Sequence, residues 1–338
     1  MILVRRKVVG LVFGVFICLL TIGGFLWMNQ PNGGPGQPQL VEIPPGTPFT
    51  QVSHILHRHH LIGSEWFFTV LGRVQRVDRN IIPGEYELHA GMRPTELLQK
   101  IVKGEVYHYA LTIPEGYNVA QIADILEQKH LALKQDIFRL SRDPAFIQSV
   151  NVQAPTLEGY LFPDTYHLAR YTPPESIIRT FVNRFHDVVT PDLKDRATSM
   201  GMTLHEVLTL ASVVEKETGL ATERSLVSGV FHNRLRRGIP LQSDPTVIYA
   251  LEAFDGNIRK ADLSVNSPYN TYKVRGLPPG PIANPGLAAI HAALYPTQTD
   301  FVYFVARNDG SHQFSATLED HNKAVDIYQR QSTGKRAS

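Results

Sequence analysis

Residues 8–28, VVGLVFGVFICLLTIGGFLWM, form an uncharged apolar run. At about 1.5 Å of rise per helical residue, it is long enough to cross the hydrocarbon core of a bilayer. A cleaved signal peptide carries a shorter apolar segment, about 7–15 residues, followed by small residues at the cleavage point. This run instead continues into Trp27, Met28, Asn29 and Gln30, so the expectation is an uncleaved anchor. Arg5, Arg6 and Lys7 precede it and no Lys or Arg follows until Arg58. The positive-inside rule then places a short tail, residues 1–7, in the cytoplasm and everything after about residue 29 outside it.

The only cysteine, Cys18, falls inside the anchor, so the exported part is expected to hold together without disulfides. The whole chain's 338 residues, 43% of them hydrophobic, suffice for packed cores. Setting aside the three basic residues before the anchor leaves 30 basic against 31 acidic, which lacks the basic footprint of a nucleic-acid binder.

The stretch 29–41 opens with NQPNGGPGQPQ, rich in Pro and Gly and free of charge, and reads as a flexible linker. An imperfect internal repeat follows. IPPGTPFTQVSHILHRHHL (43–61) aligns without gaps, at an offset of 70, with IPEGYNVAQIADILEQKHL (113–131). Each copy predicts a turn and then a helix with one buried stripe: Phe49, Val52, Ile55 and Leu56 in the first, Val119, Ile122, Ile125 and Leu126 in the second. A looser version, HAGMRPTELLQKIVKG (89–104), follows a strand pattern at 84–88, so 42–106 reads as a small α+β unit. His54, His57, His59 and His60 cluster in the first copy, but the second has Asp124, Glu127, Lys129 and one histidine, His130. A solvated helix face, and no metal site, is the expectation.

In the larger region, 107–330, Thr203 and Glu206 form a capping box that opens a mostly apolar helix running to a stop at Gly219. A second helix is expected over 223–237, and FVYFVA (301–306) with HQFSA (312–316) reads as a β-hairpin. Residues 331–338 read as a tail. Zinc-peptidase, nucleophile-elbow, Walker and dinucleotide-binding patterns are all missing.

What remains is VVEKETG, residues 213–219. Glu215 and Glu217 are two apart on a helix and point about 200° away from each other, so they cannot serve one cleft as a pair. A carboxylate at a helix C-terminus faces the negative end of the dipole, which costs stability and, with burial, raises its pKa toward that of a general acid. Spacing alone does not choose between the two.

The segments LASVVEKETGLATERSLVSGVFHNRLRRGIPLQSDPTVIYAL (210–251), SPYNTYKVRGLPPGPIANPG (267–286), YFVARNDGSHQFSATLEDHN (303–322) and LEGYLFPDTY (157–166) closely resemble the MltG/YceG family of endolytic murein transglycosylases. The resemblance implies an α+β protein of the bacterial inner membrane: a single N-terminal transmembrane helix, a LysM-like subdomain and a larger mixed α+β catalytic domain. It implies an enzyme that cuts nascent peptidoglycan strands between N-acetylmuramic acid and N-acetylglucosamine, leaves 1,6-anhydro ends and terminates strand elongation, without metal or organic cofactor. Its partners would be glycan strands and the membrane, and peptidoglycan synthases if the anchor recruits them. It assigns Glu217 as catalytic, with Glu215 as fallback, and nominates Glu158, Tyr160, Gln242, Ser243, Asp244, Tyr269, Asn270 and Tyr272 as substrate-binding. His312, His321 and Asn322 fall in matching segments and are expected to be structural. A hydrolase that uses water and a second carboxylate, Asp244 or Glu158, and a non-catalytic peptidoglycan-binding scaffold are the competing readings.

Overall fold

A computed structural model describes residues 2–34, 36–251 and 253–330; the expected tail, 331–338, lies outside the described residues. In chain order the elements are α1 (Ile2–Met28), β1 (Gln39–Ile43), α2 (Phe49–Arg58), α3 (Glu65–Val74), β2 (Gly84–Leu88), α4 (Pro94–Lys103) and β3 (His108–Thr112). Next come α5 (Val119–Gln128), α6 (Lys134–Leu140), α7 (Pro144–Ser149), β4 (Thr165–Ala169), α8 (Pro174–Val188), α9 (Pro191–Ser199) and α10 (Leu204–Glu217). The chain continues through α11 (Arg224–Arg236), α12 (Asp244–Ala250), α13 (Leu287–Leu294), β5 (Tyr303–Ala306), β6 (His312–Ser315) and α14 (Leu318–Val325). The protein is mixed α+β, with two-stranded sheets β1–β2, β3–β4 and β5–β6.

It divides into two units: residues 1–109 with 167–172, and 110–166 with 173–338. In the first, α1 contains a 20-residue stretch, Val9–Met28, of mean hydropathy 2.5, apolar and long enough to cross a membrane. Strand β1 pairs antiparallel with β2, with Val41 opposite Tyr86, and α2 and α3 lie between them in sequence. Val41, Ile43, Val52, Leu56, Phe68, Tyr86 and Leu98 are buried in one core, each 0–1% exposed. Helix α3 has no counterpart in the sequence reading. Ser64 caps it, accepting a hydrogen bond from the Phe67 N–H.

The stretch expected as a free linker is tied down at several points. The Asn29 side chain donates to Thr95 Oγ1, the Asn32 side chain to the His60 carbonyl, and the Gly33 N–H to the Ala90 carbonyl. Strand β1 already begins at Gln39, because pairing with β2 satisfies backbone groups that composition alone leaves to water. The histidines of α2 face α3: His54 Nδ1 and His57 Nδ1 lie 3.0 and 3.3 Å from Glu65 Oε1. Among the described residues no cluster of His, Cys, Asp or Glu could hold a metal ion.

The second unit is built around α10. The capping box forms as the sequence indicates, with the Glu206 N–H bonded to Thr203 Oγ1 and the Thr203 N–H to Glu206 Oε2. Every residue from Val207 to Val214 is buried, the polar Thr209 and Ser212 among them, so this is a core helix, and α11 and α13 pack against it. It does not stop on a left-handed glycine; Thr218 turns extended, with φ −139° and ψ 129°, and ends it.

The repeat is real in the backbone. Helices α2 and α5 start and end at positions 70 apart. Gly46 and Gly116 take left-handed φ of 76° and 74° before them, and His60 and His130 take φ of 57° and 54° after them. Ile125 departs from its counterpart Ile55: it is half-buried, and Ala123 joins the buried stripe instead.

Candidate active site

The carboxylate pair at the end of α10 is split between two tasks. Glu215 has a side chain only 7% exposed, lies 3.4 Å from Arg224 Nη2 and accepts the Gly286 N–H at 3.1 Å. It thereby ties α10 to the first turn of α11 and to the residue preceding α13. A Cβ at Gly286 would lie 1.9 Å from Glu115 Oε1, so a larger residue there requires the half-exposed Glu115 side chain to move aside. Burial raises the Glu215 pKa, and the Gly286 N–H and Arg224 oppose it.

Glu217 points the other way, as the helical period requires, and lines a cavity of about 550 Å³. Among the described residues its hydrogen-bond partner is the Ser243 hydroxyl, which donates to Oε1. Burial pushes its carboxyl up to about 7; the Ser243 hydrogen bond works against this, and the charge of Asp244 adds to it. A carboxyl titrating there is protonated in part of the population near neutral pH, and so able to give a proton and take one back.

The Ser243 loop is shaped by its surroundings. Gln242 adopts φ 52°, uncommon for a residue with a side chain. Its N–H bonds to the Thr271 carbonyl, and the Ser243 N–H bonds to Thr271 Oγ1. Arg234, 8% exposed on α11, donates to the Leu241 carbonyl at 2.5 Å and to Gln242 Oε1 at 3.1 Å, and its guanidinium lies 5.4 Å from the Tyr303 ring. Asp244 opens α12, where the helix dipole favours its charge, and accepts the Tyr272 hydroxyl at 2.5 Å.

Of the residues nominated from sequence, Gln242, Asp244 and Tyr272 share the cavity wall with Glu217, and Ser243 is bonded to it. Tyr160 and Asn270 line neither this cavity nor its neighbour. Tyr160 is buried against Phe185, with its hydroxyl 2.9 Å from His205 Nδ1. Asn270 is fully buried and holds a turn, donating to the Leu263 and Val265 carbonyls. Glu158 and Tyr269 line a separate cavity of about 480 Å³. The buried Glu158 carboxylate accepts the Val119 N–H at the start of α5, the Asn284 amide and the Tyr249 hydroxyl.

His312, His321 and Asn322, expected to be structural, all line the Glu217 cavity. His312 is also held structurally, with Nδ1 2.7 Å from Glu223 Oε2, and His321 stacks on Tyr303. Arg234 and Tyr303 escaped the sequence reading. The arginine opens a basic stretch, RLRR (234–237), that resembles any helix end.

A family model described as the YceG-like family matches residues 41–327. The chain belongs to the YceG-like family. An endolytic murein transglycosylase of Bacillus subtilis (strain 168) is 34% identical over 304 residues, covering 85% of this chain and 84% of that protein. Another, from Streptococcus pneumoniae serotype 2 (strain D39), is 31% identical over 352 residues, covering 93% of this chain and 64% of the longer relative. A crystal structure of a putative YceG-like protein of Listeria monocytogenes superposes with a TM-score of 0.60 at 36% identity, covering 85% of this chain and 98% of that one.

Proposed function

We propose that this YceG-like protein is an endolytic murein transglycosylase, with Glu217 as its single acid/base. The observation that carries the assignment is a carboxyl raised to about 7 by burial and bonded to Ser243 on the wall of a cavity large enough for sugar rings. Two-carboxylate glycosidases divide protonation and nucleophilic attack between two groups. Here the nucleophile is the C6 hydroxyl of the N-acetylmuramic acid being cut. Glu217 gives its proton to the glycosidic oxygen as the C1–O bond breaks, and its carboxylate then takes the proton of the C6 hydroxyl as the C6–O–C1 bond forms. Atoms balance without water, and the product is a 1,6-anhydro sugar. Proton transfer of this kind contributes about 10²–10⁴-fold, the remainder coming from positioning and from stabilising oxocarbenium-like charge. Asp244 and the Tyr272 hydroxyl face the same cavity and suit the second task.

The anchor α1 holds the enzyme in the cytoplasmic membrane, N-terminus inside, with the catalytic unit beside newly made strands; cutting there terminates their growth. Peptidoglycan synthases work at the same surface and are its proposed partners. The β1–α2–α3–β2 arrangement supports a LysM-like role for the first unit.

A hydrolase would need a second carboxylate in the same cavity. Glu158 lines the other one, and Asp244 is the group that meets the condition. Product masses separate the readings. The detergent-solubilised full chain, given uncrosslinked glycan strands, yields anhydro-ended fragments, and Glu217→Gln abolishes them while Glu215→Gln does not. Fragments heavier by one water would make it a hydrolase, and an unmutated chain that cuts nothing would leave a binding scaffold.

A further inference from the structure

The cavity of about 480 Å³ beside α12 has a composition that the reaction at Glu217 does not use. Its wall carries the aromatic rings of Phe138, Tyr249, Tyr269 and Phe254, the last 42% exposed, and the cations Arg142 and Lys216. Tyr249 and Tyr269 are in tilted contact, with centroids 4.9 Å apart. Arg142 lies 5.6 Å from the Phe138 ring, and among the described residues its guanidinium enters no ion pair or hydrogen bond. Lys216 Nζ makes one long bond, 3.4 Å, to the Gly116 carbonyl and pairs with no carboxylate among the described residues.

The buried Glu158 at this cavity does not neutralise them by contact, because its oxygens are engaged by Val119, Asn284 and Tyr249. Two cations with unused donors and a set of aromatic faces thus share one concave surface. Aromatic faces take the apolar faces of sugar rings, and a guanidinium takes a carboxylate with two parallel hydrogen bonds. The surface is also coupled to the Glu217 cavity by sequence. Lys216 lines one and Glu217 the other; on α12, Asp244 lines the Glu217 cavity while Pro245, Ile248 and Tyr249 line this one. A seven-residue helix is about 10 Å long, so one extended saccharide can reach both.

We propose that this cavity is a second saccharide subsite for the same strand, binding an N-acetylated sugar whose substituent carries a carboxylate, with Arg142 and Lys216 pairing to that carboxylate. The inference rests on the murein reading of the Glu217 site and adds to it a reason for cutting within strands: a substrate is held at two places along its length. The carboxylate has two sources in such a strand, the lactyl group of the sugar itself or the stem peptide attached to it.

The test compares the detergent-solubilised full chain with Arg142→Gln, Arg142→Lys and Lys216→Gln on long strands with intact stem peptides, on strands with the peptides removed, and on a disaccharide that holds one cleavable bond. Arg142 and Lys216 are exposed, and equal melting temperatures confirm equal folding. Loss of one charge-assisted pair raises KM on long strands about tenfold with kcat within about twofold, Arg142→Lys recovers part of the loss, and the disaccharide, too short to fill both cavities, shows no difference. An effect confined to peptide-bearing strands assigns the carboxylate to the stem, and one kept on denuded strands assigns it to the lactyl group. Unchanged KM on long strands, with the unmutated chain cutting normally, overturns the subsite alone; an unmutated chain that cuts neither strand removes the murein reading and the subsite with it.

Discussion

Glu217 and Glu158 are both carboxyls of the second unit, both largely withdrawn from water and both raised to about 7 by that burial. They differ in what surrounds their oxygens. Glu158 accepts the Val119 N–H at both oxygens, at the positive end of α5, together with the Asn284 amide and the Tyr249 hydroxyl. Glu217 accepts one serine hydroxyl and faces a cavity. A shifted pKa does not by itself mark a catalytic group. The capacity left over after the protein's own donors are counted separates a proton shuttle from a clamp.

The largest effect that could break this contrast is on rate. Glu217→Gln is expected to lower strand cleavage by about 10²–10⁴-fold, read as anhydro-product formation, whereas Glu158→Gln retains cleavage in whatever fraction folds. The next is on stability. Glu158→Gln turns one acceptor oxygen into a donor facing other donors, and should cost about 2 kcal/mol or more in a denaturant titration; a neutral result would show that the clamp is not under load.

A smaller effect sharpens the electrostatics of Glu217. Its folded pKa, about 7, lies above the usual carboxyl value of 4.5, so folding disfavours its charged form. Below about pH 4.5 the group is protonated folded or unfolded and contributes nothing; as pH rises through 7 the folded state bears the full cost of the charge. Glu217→Gln should therefore raise the melting temperature at pH 8 and leave it unchanged near pH 4.5. Cleavage by the unmutated enzyme should decline above about pH 7, as the general acid loses its proton. Smallest is Ser243→Ala. Removing a donor that favours the carboxylate should move that alkaline decline to higher pH, and a shift the other way would mean that Ser243 stabilises the protonated form.

The repeat shows how much a local pattern can carry. Its two copies reproduce the same helix bounds and the same left-handed positions before and after the helix, because the apolar stripe, the turn glycine and the chain reversal are all specified within about twenty residues. The uses diverge. In the first copy the helix start has no side-chain cap; in the second, Asn118 caps the helix and Glu158, far along the chain, takes the Val119 N–H. Helix α3 was missed because EWFFTVLGRV mixes aromatic and β-branched residues that suit a strand as well.

The membrane-length helix, the α+β character of the 42–106 unit, the capping box, the β5–β6 hairpin and the opposite headings of Glu215 and Glu217 were all determined by sequence alone, since each depends on composition or on a period of two or 3.6 residues. Only the tertiary structure decided that Glu215 is spent on Arg224 and Gly286, that Glu217 meets Ser243, that Asn270 and Tyr160 are internal supports, and that Arg234, Tyr303 and His321 wall the cavity. Several of these meetings join positions tens of residues apart, such as Glu217 with Ser243 and Glu215 with Gly286, and depend on how core helices pack around α10. That packing is set by the summed fit of many apolar side chains, which no local spacing records.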